Sequence, residues 1–152
     1  MKLQDVLEMD MVFADLKSTS KEGVIREMTG ELAKKLGVDT KRLVRAIMER
    51  EKLKTTAIGE GIAVPHIRAK GIDQVRACFG RSTCGIDFKA KNGKPSYFFF
   101  LILAPENSAG EHLKILARIA RLCKNGDFLE RIGKAGEAKE IYQIIVKEEQ
   151  KL

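Results

Sequence analysis

Long apolar runs are missing from this chain: the longest, Tyr97 to Ala104, falls far short of the ~20 residues that a membrane-spanning helix needs. It reads instead as a buried strand, and no bilayer crossing is expected. Cysteine is scarce, and Cys78, Cys84 and Cys123 form an odd set with no CxxC pair. That pattern argues against a disulfide framework or a zinc knuckle and for reduced, mostly packed thiols. The opening MKLQDVLEMD has carboxylates where an export signal carries basic residues and then an apolar run, so a cytoplasmic location is expected. The phosphate-cradling pattern GxxxxGK followed by Ser or Thr does not occur, which argues against a bound nucleoside triphosphate. No HExxH or closely spaced ligand set supports a metal hydrolase, and neither a metal nor an organic cofactor is expected. Repeats, low-complexity tracts and linkers are also absent, so residues 1–152 are expected to form one domain.

What the chain does contain is the mixture typical of a soluble globular protein, with 44% hydrophobic and 32% charged residues. At 152 residues it can remove ~70% of its unfolded surface from water without staples. The formal charge of +7 would favour an acidic partner surface, nucleic acid or anionic lipid. Its lysines and arginines are spread from Lys2 to Lys151, however, and such scatter is the usual look of a solvated basic surface.

Spacing predicts the elements. After an extended start around Met11 to Phe13, Thr19 and Glu22 suit a capping box ahead of the stripe Val24, Ile25, Met28, Leu32 and Leu36. Gly37 suits the left-handed close of that helix, and Asp39 can cap a second one bearing Leu43, Val44 and Ile47. Lys52 to Gly61 reads as a loop and Ile62 to Pro65 as a short strand ending at proline. Val75, Ala77 and Phe79 alternate with polar residues in a half-buried strand, and Lys91-Asn92-Gly93-Lys94 turns the chain into YFFFLILA. A strand apolar on both faces needs helices above and below it, which argues for a layered α/β fold. Ser108 and Glu111 suggest a second capping box, opening a helix with Leu113, Leu116, Ala117 and Ala120 inward and Lys114, Arg118 and Arg121 outward. Asn125-Gly126 stops it, Asp127 starts a short helix through Ile132, and Ala138, Ile141 and Ile145 line a last one.

There are only two histidines, His66 and His112. A lone histidine is more often structural, yet His66 has a suggestive setting: past a strand, beside a glycine-rich loop and followed by Arg68. Here the residues Gly59-Glu60-Gly61-Ile62-Ala63-Val64-Pro65-His66 resemble the phosphorylation signature of the type 2 enzyme IIA family of the sugar phosphotransferase system, which includes fructose, mannitol and nitrogen-regulatory members. The likeness continues in Arg50-Glu51, Thr56-Ala57-Ile58-Gly59, Leu103-Ala104-Pro105, Gly110 to Arg118, Lys124 to Phe128 and the Ala138-to-Ile145 helix, and so spans the whole chain. It implies a mannitol-IIA-like α/β fold, a single three-layer domain whose central mixed sheet carries helices on both faces. Ile67 departs from the small residue that often follows the family's histidine, and Thr55 stands where a serine is common.

Carried over by position, the resemblance makes His66 the phosphorylated nucleophile, His112 a second histidine that orients His66 or the phosphate, and Arg50 a phosphoryl-stabilising arginine. Phosphoryl transfer needs an in-line nucleophile and charge stabilisation, and a neutral imidazole with an arginine fork suits both. The residues leave open which His66 nitrogen reacts. The resemblance further implies that HPr or a nitrogen-branch HPr donates the group and that an enzyme IIB receives it, or that phosphorylation state is read by regulatory targets. A stand-alone chain favours the nitrogen-regulatory kind over a sugar-specific transport component. A helix-turn-helix regulator is a third reading, since Lys41, Arg42, Arg45 and Arg50 follow a short glycine turn. The need to bury Leu43, Val44 and Ile47, with Glu49 and Glu51 diluting the charge, argues against nucleic acid as a partner.

Overall fold

The YFFFLILA run forms most of β5 (Ser96–Pro105), and Phe99 to Ala104 are completely buried. In the computed structural model, which describes residues 1–152, β5 lies between β4 (Arg76–Ile86) and two short strands, β2 (Ile62–Ala63) and β3 (His66–Ala69), while β1 (Leu7–Phe13) borders β4 on its far side. β4 and β5 are antiparallel, whereas β1 runs parallel to β4 and both β2 and β3 run parallel to β5, so the sheet is mixed. The strand expected over Ile62 to Pro65 is thus two strands. Val64 and Pro65 interrupt the ladder, as proline must where it has no N–H to give, and His66 opens the second piece.

Strand register shows which residues share a face. Cys78 pairs with Leu101 and Gly80 with Phe99, while Phe79 pairs with Phe100 and Arg81 with Phe98. The first set faces α1 (Lys21–Leu36), where the Cys78 Sγ–H lies 3.7 Å from the Met28 carbonyl oxygen. The second faces α4 (Gly126–Lys134): Arg81 Nη1 donates to the Ile132 carbonyl at 2.9 Å. Helices therefore cover both faces, as a doubly apolar central strand requires. Around α1 are α2 (Thr40–Leu53), and beside α4 are α3 (Glu111–Cys123) and α5 (Ala138–Gln150). Cys78 and Cys123 are buried, and burial pushes the Cys123 thiol up to about 12, so both are inert packed groups; Cys84 is exposed. No helix is long and apolar enough to cross a membrane.

Helix ends follow local chemistry, with three corrections. Ser20, not Thr19, caps α1 by accepting from the Gly23 N–H at 3.0 Å, because Ser20 has the extended backbone that a cap requires. Gly37 closes α1 in the left-handed region (φ 71°), and Asp39 caps α2 as expected. At α3 no side chain caps the helix: Gly110 is the cap, with φ 95°, and Ser108 is diverted to His112. The α3 stripe also differs. Ile115, Ile119, Leu122 and Cys123 are buried, while Leu113, Ala117 and Ala120 are exposed. Asn125 rather than Asp127 caps α4, accepting from the Asp127 and Phe128 N–H groups.

Candidate functional site

Parallel pairing of His66 with Ile102 and Arg68 with Ala104 sets both polar side chains on the sheet face that carries α3 and α4, two residues apart on one edge strand. α2 packs beside β3 and brings Arg50 to the same place, and the first turn of α3 brings His112. These four line one cleft of about 710 Å³ with Ala46, Glu49, Leu53, Ile67 and Glu106. The three residues singled out in the sequence, His66, His112 and Arg50, are thus together. Arg68 and Glu106 also line the cleft, beyond the three residues that the sequence singles out. Arg68 was legible, because residues i and i+2 of a strand share a face; Glu106 carries no such local signal.

The His66 ring is fixed by one short bond, in which Nδ1 lies 2.7 Å from the Val64 carbonyl oxygen. A carbonyl can only accept, so Nδ1 carries the proton and Nε2 holds the lone pair. The half-buried ring at the cleft wall thereby offers Nε2 as its lone-pair nitrogen.

His112 is held less tightly, its Nδ1 at 3.5 Å from Ser108 Oγ. Its pKa lies below the ordinary 6.5, chiefly through burial and then through the electrostatic effect of Arg68 and of the neighbouring His66. At neutral pH it is therefore uncharged and able to donate one N–H without adding a full charge. Since folding lowers this pKa, its contribution to stability is complete above the unfolded value of 6.5 and is lost as pH falls through the folded value. In a histidine-detected NMR titration His112 is expected to have a midpoint below 6.5, and Arg68→Met should move it upward. An unchanged midpoint in that variant would remove Arg68 from the electrostatics of the site.

Arg50 enters the cleft from the last turn of α2, and its Nη1 donates to the Lys54 carbonyl at 2.8 Å. That bond anchors the guanidinium at the helix end and leaves Nη2 and Nε for an oxyanion. Arg68 is exposed. Gly110, with no capping side chain, leaves the first amides of α3 near His112 free of a side-chain acceptor, and a helix N-terminus favours negative charge. The cleft thus combines a lone-pair imidazole nitrogen, two guanidinium groups, a neutral imidazole and a positive helix end. Such a set can receive a dianionic phosphoryl group in line and stabilise its equatorial oxygens.

The family model described as "Phosphoenolpyruvate-dependent sugar phosphotransferase system, EIIA 2" matches residues 5–148. The chain is 33% identical over 145 residues to a nitrogen regulatory protein of Bradyrhizobium diazoefficiens, covering 95% of both. It is equally 33% identical over 147 residues to the fructose-specific EIIABC component of Bacillus subtilis, there covering 95% of this chain but 23% of that protein. Among solved structures, nitrogen regulatory protein IIA-Ntr from Neisseria meningitidis superposes with a TM-score of 0.88 at 29% identity, covering 94% of this chain and 98% of that one. IIA mannitol from Escherichia coli superposes with a TM-score of 0.77 at 27% identity, covering 91% and 97%.

Proposed function

The chain belongs to the type 2 EIIA family of the phosphoenolpyruvate-dependent sugar phosphotransferase system, and on that premise we propose that it carries a phosphoryl group on Nε2 of His66. The observation that carries this reading is the 2.7 Å bond between His66 Nδ1 and the Val64 carbonyl, which commits the ring to the tautomer whose Nε2 is nucleophilic. A donor phosphohistidine, of HPr or a nitrogen-branch HPr, presents its phosphorus in line with Nε2. The new N–P bond forms as the donor's N–P bond breaks, and the electron pair returns to the donor nitrogen. Arg50 and Arg68 hold the equatorial oxygens, and neutral His112 donates to one of them. The reverse geometry passes the group on to an enzyme IIB, often to a cysteine thiolate.

No bound cofactor is required by this chemistry, since both bonds exchanged are to phosphorus. As one domain acting with these partners, the protein works in the cytoplasm. A nitrogen-regulatory role is favoured, because the Bradyrhizobium relative is 33% identical and the Neisseria structure superposes with a TM-score of 0.88, against 0.77 for IIA mannitol. A sugar-transport role is the second reading, on the equal identity to the fructose component. Pull-down with and without phosphorylation separates them: a regulatory protein captures proteins outside the transfer chain according to that state, whereas a transport component captures only its donor and its IIB.

Incubation with phosphoenolpyruvate, enzyme I and either HPr is expected to add one acid-labile phosphate, mapped by mass spectrometry to His66 and by phosphorus NMR to Nε2. Absence of label with both donors, or a phosphate mapped to His112, would overturn the assignment.

A further inference from the structure

Arg50 faces the cleft, but the next residue, Glu51, turns inward and is only 4% exposed. Its Oε1 accepts from the Thr56 N–H at 3.1 Å and lies 3.0 Å from Lys21 Nζ, and its Oε2 accepts from Thr56 Oγ1 at 2.5 Å. Lys21 is itself held over the Phe88 ring, 4.7 Å from the centroid. Burying a carboxylate is costly, and an apolar residue would close the end of α2 with less desolvation. What the carboxylate does that an apolar residue would not is grip Thr56 at two atoms.

Thr56 continues the line toward the site. Its carbonyl accepts from the Val64 N–H at 3.2 Å, and the Val64 carbonyl in turn accepts from His66 Nδ1 at 2.7 Å. Val64 lies in the gap between β2 and β3, and although the Ile102 N–H of β5 donates to the neighbouring Pro65 carbonyl at 3.0 Å, neither polar backbone group of Val64 itself bonds to β5. Its N–H is held from the loop that Glu51 organises. That loop runs alongside: Ala57 bridges Ala63, and the Ile58 N–H donates to Ile62 at 2.9 Å.

We propose that Glu51 is a positioning residue that acts through Thr56 and the backbone of Val64 to hold His66 in the tautomer with its proton on Nδ1. The proposal rests on the reading of His66 Nε2 as nucleophile. Glu51 touches neither the phosphoryl group nor a partner. Its effect is on the fraction of molecules in which Nε2 carries the lone pair, and so on kcat rather than KM. Lys21 satisfies the buried charge but is not in the line to the imidazole, which separates stability from tautomer control.

The test compares Glu51→Gln, Thr56→Val and Lys21→Met by nitrogen-15 NMR of the His66 ring and by phosphoryl transfer kinetics. Glu51→Gln keeps the shape but loses one of the two acceptors facing Thr56, and Thr56→Val removes the matching hydroxyl donor. Both variants are expected to show a rising Nε2–H population and a kcat about tenfold lower, with KM within about twofold of the native value. The double variant should lose little more than either single one, as members of one chain do. Lys21→Met should be less stable and keep the native tautomer and kcat. If Glu51→Gln and Thr56→Val merely lower the melting temperature, with the tautomer and kcat unchanged, Glu51 is structural and the proposal fails. Should Glu51→Gln not fold, Thr56→Val decides the question alone. Failure of the wild-type protein to accept phosphate on His66 would instead sink the functional reading, and the tautomer spectra would still show whether Glu51 and Thr56 control the ring.

Discussion

His66→Ala is expected to abolish phosphorylation outright while leaving the fold intact. The side chain supplies the only atom in the cleft to which the phosphoryl group can bond with its lone pair held ready: Nε2, with Nδ1 tied to Val64. Neutral His112 lacks that fixed tautomer, being held only by a 3.5 Å contact to Ser108. Loss should therefore exceed ~10³-fold, equivalent to at least about 4 kcal/mol of transition-state stabilisation. The structural cost is small by comparison, because the half-buried ring makes a single hydrogen bond, worth about 1 kcal/mol. Circular dichroism and thermal melting alongside a radiolabel transfer assay measure both quantities. Native-level labelling of the alanine variant would place the phosphate on another residue and remove the basis of the mechanism.

Glu149→Ala is expected to produce a large loss of stability from a change away from the site. Although it lies on the last turn of α5, Glu149 is only 2% exposed. Its Oε2 accepts from the Leu3 N–H at 2.5 Å and from Arg118 Nε at 2.7 Å, and its Oε1 accepts from the Gln4 N–H at 3.2 Å. One carboxylate thereby joins the amino-terminal turn (Leu3–Asp5), α3 and α5. Truncation strands two backbone donors and a partly buried guanidinium, a loss of about 3–5 kcal/mol. For a chain of this size each kcal/mol moves the melting point by about 2–4 °C, so a fall of roughly 10 °C is expected. Glu149→Gln, which keeps one acceptor, should fall by less than half of that. Disruption of the exposed Lys134–Glu130 pair, with both side chains mostly in solvent, should leave the melt unchanged. If Glu149→Ala melts with the native protein, the carboxylate does not hold the amino terminus.

Glu149 also shows why parts of the fold were illegible in the sequence. It sits 146 residues from the amide that it caps, in a helix whose charged residues look solvent-facing by composition. Arg118, taken for an outward charge on α3, turns to meet it. Leu113, taken for core, is 59% exposed, because α3 rotates to bury Ile115 and Ile119. In a helix with apolar residues at nearly every turn, several faces are plausible, and only the packing against α4 and α5 selects one. The capping residues failed for a more local reason. Thr19 and Ser108 have the right chemistry, but the cap belongs to the residue whose backbone leaves the helix, and that is Ser20 in one case and Gly110 in the other.

The sequence by itself determined the layered α/β class and singled out the residues at which the phosphate chemistry is proposed. A strand apolar on both faces admits few folds, and the octet ending at His66 is specific enough to carry His112 and Arg50 with it. What only the tertiary structure decided is how that chemistry is held. The tautomer of His66 depends on a carbonyl orientation at Val64, the neutrality of His112 on burial and on Arg68, and Val64's own placement on a loop gripped by Glu51. Each depends on distances of a few ångströms between segments that meet only when the sheet and helices close around them. Spacing along the chain records which residues are available, whereas hydrogen-bond direction and dielectric surroundings arise only from packing.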